Sequence, residues 1–459
     1  MVPPSGRPFL FRHPLRTLLL IVVVAFAVTY VAAVVVVRGT KSGSEATSDK
    51  LGRPNALSTG GGVPTGSSDQ LDVAIRNRQE LLRAHPDNSV AWAELGSAYV
   101  QQARITANPV YYPKAAGALH RSVALKRHDN FEAMVGLGAL ANAQHNFAAA
   151  RSWGRRAERV NHYNANVYAV LNDALTQLGD YRGATAATQH MLDLRPGVPS
   201  FTRASYDFEQ HGDNAGARFA LDKALKIATS PADIAFCRYY LGELAFNEGD
   251  ARQAARQYAL GLKVDPAYSP LLAGQAKAEG ALGQTAAAIR DYTTVIGRVP
   301  QPQYVIELGE LEQSLGHRAE ARSQYELLGV EFKLFAANGV NDDLTRAQFE
   351  ADHGEPAKAL EHAKAEWGRR HSVLVADALA WALHQNGRDR EALRYAKFAN
   401  HLGWRNAGFV YHQAMIEASL GQRETARAGL ARALKINPAF NPLQVPIARR
   451  TLARLERGP

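Results

Sequence analysis

The sequence predicts an all-α chain, one transmembrane helix followed by a solenoid of stacked helix pairs. Three observations predict it. A phrase of about 34 residues returns along most of the chain, and a fixed period of that length marks stacked supersecondary units. Each copy spaces its apolar residues three and four apart, the period of an amphipathic helix. Ahead of the copies, Leu15 to Val37 is almost unbroken hydrocarbon.

Residues 1–14 form a tail carrying Arg7 and Arg12 and no acid. Residues 15–37 then read as a span, interrupted only by Arg16, Thr17, Thr29 and Tyr30. About twenty apolar residues cross a bilayer as one helix, whereas the apolar region of a cleaved signal is about 7–15 residues long. Val34 to Val37 continue past Ala32 and Ala33, so an uncleaved anchor is expected. Basic residues flank the segment on both sides. The acid-free tail places the N-terminus inside, which predicts a single-pass cell-membrane protein with an extracytoplasmic solenoid. Residues 38–69 are a flexible linker rich in Gly, Ser and Thr.

The repeats occupy residues 70–440. The cleanest copy runs through Tyr168, Leu171, Leu175, Gly179-Asp180-Tyr181, Ala184, Met191-Leu192 and Pro196. Leu241-Gly242, Gly249-Asp250, Ala254, Tyr258, Leu262 and Pro266 repeat it. Gly-Asp is a turn between two helices, since glycine tolerates positive φ. Alanines after the turn (Ala184, Ala254, Ala288, Ala426) let the helices approach, and the closing prolines stop the second helix. One pair cannot bury its own apolar face, so neighbours must stack. Residues 441–459 supply a capping helix, with Ile447, Leu452 and Leu455 against the last unit and four arginines toward water.

The pattern resembles the tetratricopeptide repeat, most plainly at Trp92, Leu95, Gly96 and Tyr99. Roughly ten units and a leading half-unit fit the family's 34-residue period. The first full unit holds extra residues between its helices, around Thr106–Pro113. The resemblance implies a right-handed superhelix whose first helices line a concave groove, with positions two, five, nine, twelve and thirteen pointing inward. Carried over, that register presents Tyr239, Glu243 and Asn247 in one unit and Glu310 and Gln313 in another. Asp377, Trp381 and His384 follow in a third, and Tyr411 with His412 in the last. Aromatics interleaved with polar groups suit a peptide or helix of a partner protein. The family's carboxylate-holding Lys/Asn pair is missing: positions five and nine read Ala93 and Ser97, or Tyr239 and Glu243.

Charge and motifs exclude other classes. The net charge is +10, but the first sixty residues hold seven Lys/Arg against two acids, and residues 441–459 hold four Arg against one Glu. The repeats are left nearly neutral, without the concentrated basic face that nucleic acid needs. Cys237 is the only cysteine, so no internal disulfide forms. Gly-x-Ser-x-Gly, His-Glu-x-x-His, paired-cysteine and phosphate-loop motifs are all missing. No catalytic residue, metal ligand or cofactor site is therefore expected, and no small-molecule substrate. The sequence reads as a membrane-anchored interaction scaffold. Its alternatives are an accessory or chaperone factor for exported or envelope proteins, or a non-catalytic subunit of a membrane enzyme complex.

Overall fold

A computed structural model describes residues 68–457. These residues form an all-helical, tetratricopeptide-like solenoid of 22 α-helices. Helix α1 (Ser68–Ala84) stands alone ahead of the pairs. The first pairs are α2 (Ser89–Thr106) with α3 (Tyr111–Leu125), α4 (Phe131–Ala143) with α5 (Phe147–Val160), and α6 (Ala165–Leu178) with α7 (Tyr181–Leu194). Next come α8 (Val198–Gln210) with α9 (Asn214–Ile227), α10 (Pro231–Asn247) with α11 (Ala251–Val264), and α12 (Ser269–Ala281) with α13 (Thr285–Arg298). The later pairs are α14 (Pro302–Ser314) with α15 (Arg318–Ala337) and α16 (Asp343–Asp352) with α17 (Pro356–Arg369). The last are α18 (Val373–Gln385) with α19 (Asp389–Ala399) and α20 (Ala407–Ser419) with α21 (Arg423–Ile436), before a single α22 (Gln444–Glu456).

The repeated residues have local causes. Gly179 ends α6 at φ 86°, and the side chain of Asp180 then accepts from the Gly183 N–H at 2.9 Å to start α7. Asp213 and Asp250 cap α9 and α11 in the same way, each at 2.8 Å. Such a cap is worth about 1 kcal/mol. Between the helices of a pair, Gly242 of α10 faces Tyr258 of α11, and a Cβ there would fall on the phenol ring. Tyr258 is fully buried as a result, beside Ala254. The extra residues near Thr106–Pro113 differ from a long loop. α2 runs to 18 residues and is ended by Ala107 in the left-handed conformation, and α3 starts at Tyr111 within the same stretch.

One feature has no counterpart in the repeat itself: successive turns of the coil touch. The α4–α5 turn meets the chain entering α16, where the Asn341 N–H donates to the Gln144 carbonyl at 3.2 Å and His145 Nδ1 lies 2.7 Å from the Asn341 carbonyl oxygen. At the next step the Tyr181 hydroxyl accepts from the buried Val373 N–H at 2.8 Å, and Arg370 bonds Gln177. Tyr206 then meets Trp404 edge to face at 6.0 Å. Finally the Asn437 side chain donates to the Phe246 carbonyl at 2.8 Å. Each contact joins the inner edge of one helix pair to a linker five and a half pairs later. Val340 joins the core around Leu137 and Leu140, and Tyr181 joins that around Val373 and Phe409, so the seam has apolar cores too.

The expected membrane assignment is corrected. Among the described residues no helix is long and apolar enough to cross a membrane, which overturns a single-pass cell-membrane protein with an extracytoplasmic solenoid. The longest helix, α15 with 20 residues, carries Arg318, Glu320, Arg322, Glu326, Glu331 and Lys333. Its apolar residues serve one packed face, as an amphipathic helix requires. The segment 15–37, the tail before it and residues 38–67 of the linker lie outside the described residues.

Candidate functional site

The seam encloses a cavity of about 300 Å³ where the end of α10 meets the second turn of the coil. Phe246 and Asn247 enter from α10, Asp352 from the end of α16, Asp377 and Trp381 from α18, and His412 from α20. The α19–α20 linker adds Trp404 and Arg405, and the start of α22 adds Gln444. Four of the residues read from the groove register, Asn247, Asp377, Trp381 and His412, are thus brought together. Asp352, Trp404 and Gln444 were not foreseen. They lie at helix ends and in linkers, outside the inward positions of any one unit.

The floor of the cavity is a hydrogen-bonded network. His412 Nδ1 lies 2.9 and 3.0 Å from the two carboxylate oxygens of Asp377. Its ring stacks on Trp381 at 4.2 Å and 18°. The Trp381 indole N–H donates to Asp352 at 2.8 Å, and the Gln444 amide donates to both oxygens of Asp352 at 3.0 and 3.1 Å. Gln444 also sits 3.3 Å from His412 Nε2. Burial disfavours the charged imidazole, but the Asp377 carboxylate, its hydrogen bond and the more distant Asp352 outweigh it, so the His412 pKa is raised.

Two more carboxylates stand behind the wall. Glu209 accepts from the Asn247 amide at 3.0 Å. Glu310 accepts from the Asn441 amide at 2.9 Å and lies 3.3 Å from His353 Nε2. Burial raises both above the ordinary carboxylate range, against the pull of these donors.

The remaining groove candidates are spread along the coil. Glu243 is already occupied: Tyr258 donates to it at 2.6 Å and the Lys277 ammonium at 2.7 and 2.8 Å. Tyr239 packs edge to face on Tyr240 at 5.1 Å, beside Tyr258. Tyr240 is 40 % exposed, and burial is the main cause that raises its hydroxyl pKa. Gln313 accepts from the Tyr325 hydroxyl at 2.8 Å, and His384 pairs with Asp389 at 2.5 Å while stacking on Trp381. Tyr411 is 1 % exposed and belongs to the core with Trp381 and Phe440, where no partner can touch it.

His412 and Asp377 form a base with an orienting carboxylate, but no Ser, Thr or Cys lines the cavity to be activated by it. Among the described residues no group of three or more His, Cys, Asp or Glu side chains could hold a metal ion. Aromatic walls, amides and carboxylates in a small concavity fit the general make-up of a recognition pocket.

No protein-family model and no curated protein matches the chain. Solved structures are similar at low identity. The Cut9–Hcn1 hetero-tetramer of APC/C is 14 % identical with a TM-score of 0.39, over 83 % of this chain and 81 % of that one. A tetratricopeptide repeat protein from Parabacteroides merdae is 18 % identical with a TM-score of 0.34, over 56 % and 98 %. Yeast Tom70 is 11 % identical with a TM-score of 0.36, over 85 % and 96 %. TM-scores this far below 0.5 carry no argument about function. The fold rests on the chain's own helix pairs.

Proposed function

We propose that this protein is a non-catalytic scaffold that binds a segment of a partner protein along its concave side. The observation that carries the reading is the convergence of Asn247, Asp377, Trp381 and His412 from two turns of the coil on one cavity. Groups fixed in place by neighbours lose little entropy on binding, and a few buried anchors dominate such interfaces. The test is site-specific photo-crosslinking in cells of the full chain. A crosslinker replaces Gln348, an exposed lining residue, or, as control, Tyr163, which is 75 % exposed and remote from the cavity. Defined adducts from position 348 and none from 163 are expected. Equal adducts from both, or none from 348, would end the proposal.

A further inference from the structure

We infer that the seam cavity receives a single arginine or lysine side chain from a partner segment, its stem against the aromatic walls and its cationic head at Asp352. The occupant being a protein segment rests on the scaffold reading above. The preference for a cation rests on the cavity alone.

Charge is the first observation. Asp352 is held by an indole N–H and a neutral amide, and no Lys, Arg or His side chain pairs with it among the described residues. Asp377 is answered only by His412. Glu209, just behind Asn247, likewise accepts from a neutral amide. The one Lys or Arg among the lining residues is Arg405, which is exposed at the rim. Asp352 and Glu209 are half-buried with no cation paired to them, and a partly desolvated carboxylate gains when a cation is placed beside it.

Shape is the second. A volume of about 300 Å³ is at the small end of ligand sites, enough for one long side chain rather than a folded element. Phe246, Trp404 and Phe440 line it and offer apolar surface to a methylene stem. Trp381 is already stacked by His412 and His384, so its contribution is the indole N–H that fixes Asp352. The chain already shows the chemistry next door. The Lys277 ammonium sits 4.9 Å over the Phe246 ring while it pairs with Glu243. The cavity repeats an aromatic wall and a carboxylate, and no Lys, Arg or His side chain pairs with that carboxylate, Asp352, among the described residues.

The test is a titration of the full chain, followed by tryptophan fluorescence and calorimetry. The probes are four blocked pentapeptides, Ala-Gly-X-Gly-Ala, with arginine, lysine, norleucine or glutamate at the centre, and free butylguanidinium. Arginine and lysine peptides are expected to bind at least tenfold more tightly than norleucine, with glutamate weakest. Asp352→Asn should remove most of that preference, and Gly354→Ala, two residues away with open space around it, should keep it. Norleucine or glutamate binding as well as arginine, or no probe binding at all, overturns the cation inference. Butylguanidinium binding as tightly as the arginine peptide overturns a protein segment as the occupant. Crosslinking from position 348 that persists while the peptides show no cation preference would leave the scaffold standing and sink this inference alone.

Discussion

Gly179→Ala separates the two tasks that turn glycines perform in this coil. Gly179 and Gly354 both sit in the left-handed region, at φ 86° and 89°. An alanine there costs about 1–2 kcal/mol for the backbone conformation alone. Their surroundings differ. A Cβ on Gly354 meets nothing within 4 Å, whereas one on Gly179 would overlap the carbonyl of His371 in the next turn of the coil. Relief requires the two turns to part, which breaks the bond from the Val373 N–H to Tyr181 and leaves a fully buried donor unpaired. An orphaned buried donor costs about 1–3 kcal/mol. Gly179→Ala should therefore destabilise by about 2–5 kcal/mol and Gly354→Ala by about 1–2 kcal/mol. Amide hydrogen exchange reads the difference locally. The Val373 amide should exchange at least tenfold faster in Gly179→Ala and nearly unchanged in Gly354→Ala, since tenfold corresponds to about 1.4 kcal/mol of local opening. Equal protection of Val373 in the two variants would refute the seam as a stabilising contact.

Two further outcomes follow from buried titratable groups. The His412 pKa is raised in the fold above its ordinary 6.5, so His412 adds stability that is complete below about pH 6.5 and fades as pH rises through the folded pKa. Melting of wild type and His412→Asn from pH 5.5 to 9 should show the largest gap at the acid end. A gap that widens toward pH 9 would reverse the assignment. Cys237 is fully buried, and burial with help from Asp233 pushes its thiol up to about 12. A disulfide reagent at pH 8 should leave it unmodified in the native chain and react at once in denaturant, and rapid native labelling would show that α10 opens.

What can be read from residues is set by the range of the forces involved. The helix pairs are legible because their causes are local. Gly-Asp at 179–180 ends one helix and caps the next, and Gly242 seats Tyr258 within a single pair. Such nearest-neighbour rules recur every unit and leave a period in the sequence. Asp377, Trp381 and His412 were reachable for the same reason, since the inward face of a first helix is a matter of spacing. The burial of Tyr411 and the pairing of Glu243 with Lys277 depend on how neighbouring units lean, which spacing does not specify. The seam lies further still from the sequence. Small rotations summed over five and a half helix pairs decide whether a turn meets the one before it, and no single unit records the total. Gly179 and Gly354 are the same residue in the same turn with almost the same φ, yet only one faces another strand of the coil. The amino acids alone therefore determined the unit and its inward face. The tertiary structure decided where two turns touch, and with that it placed Asp352, Trp404 and Gln444 around a cavity that belongs to no repeat.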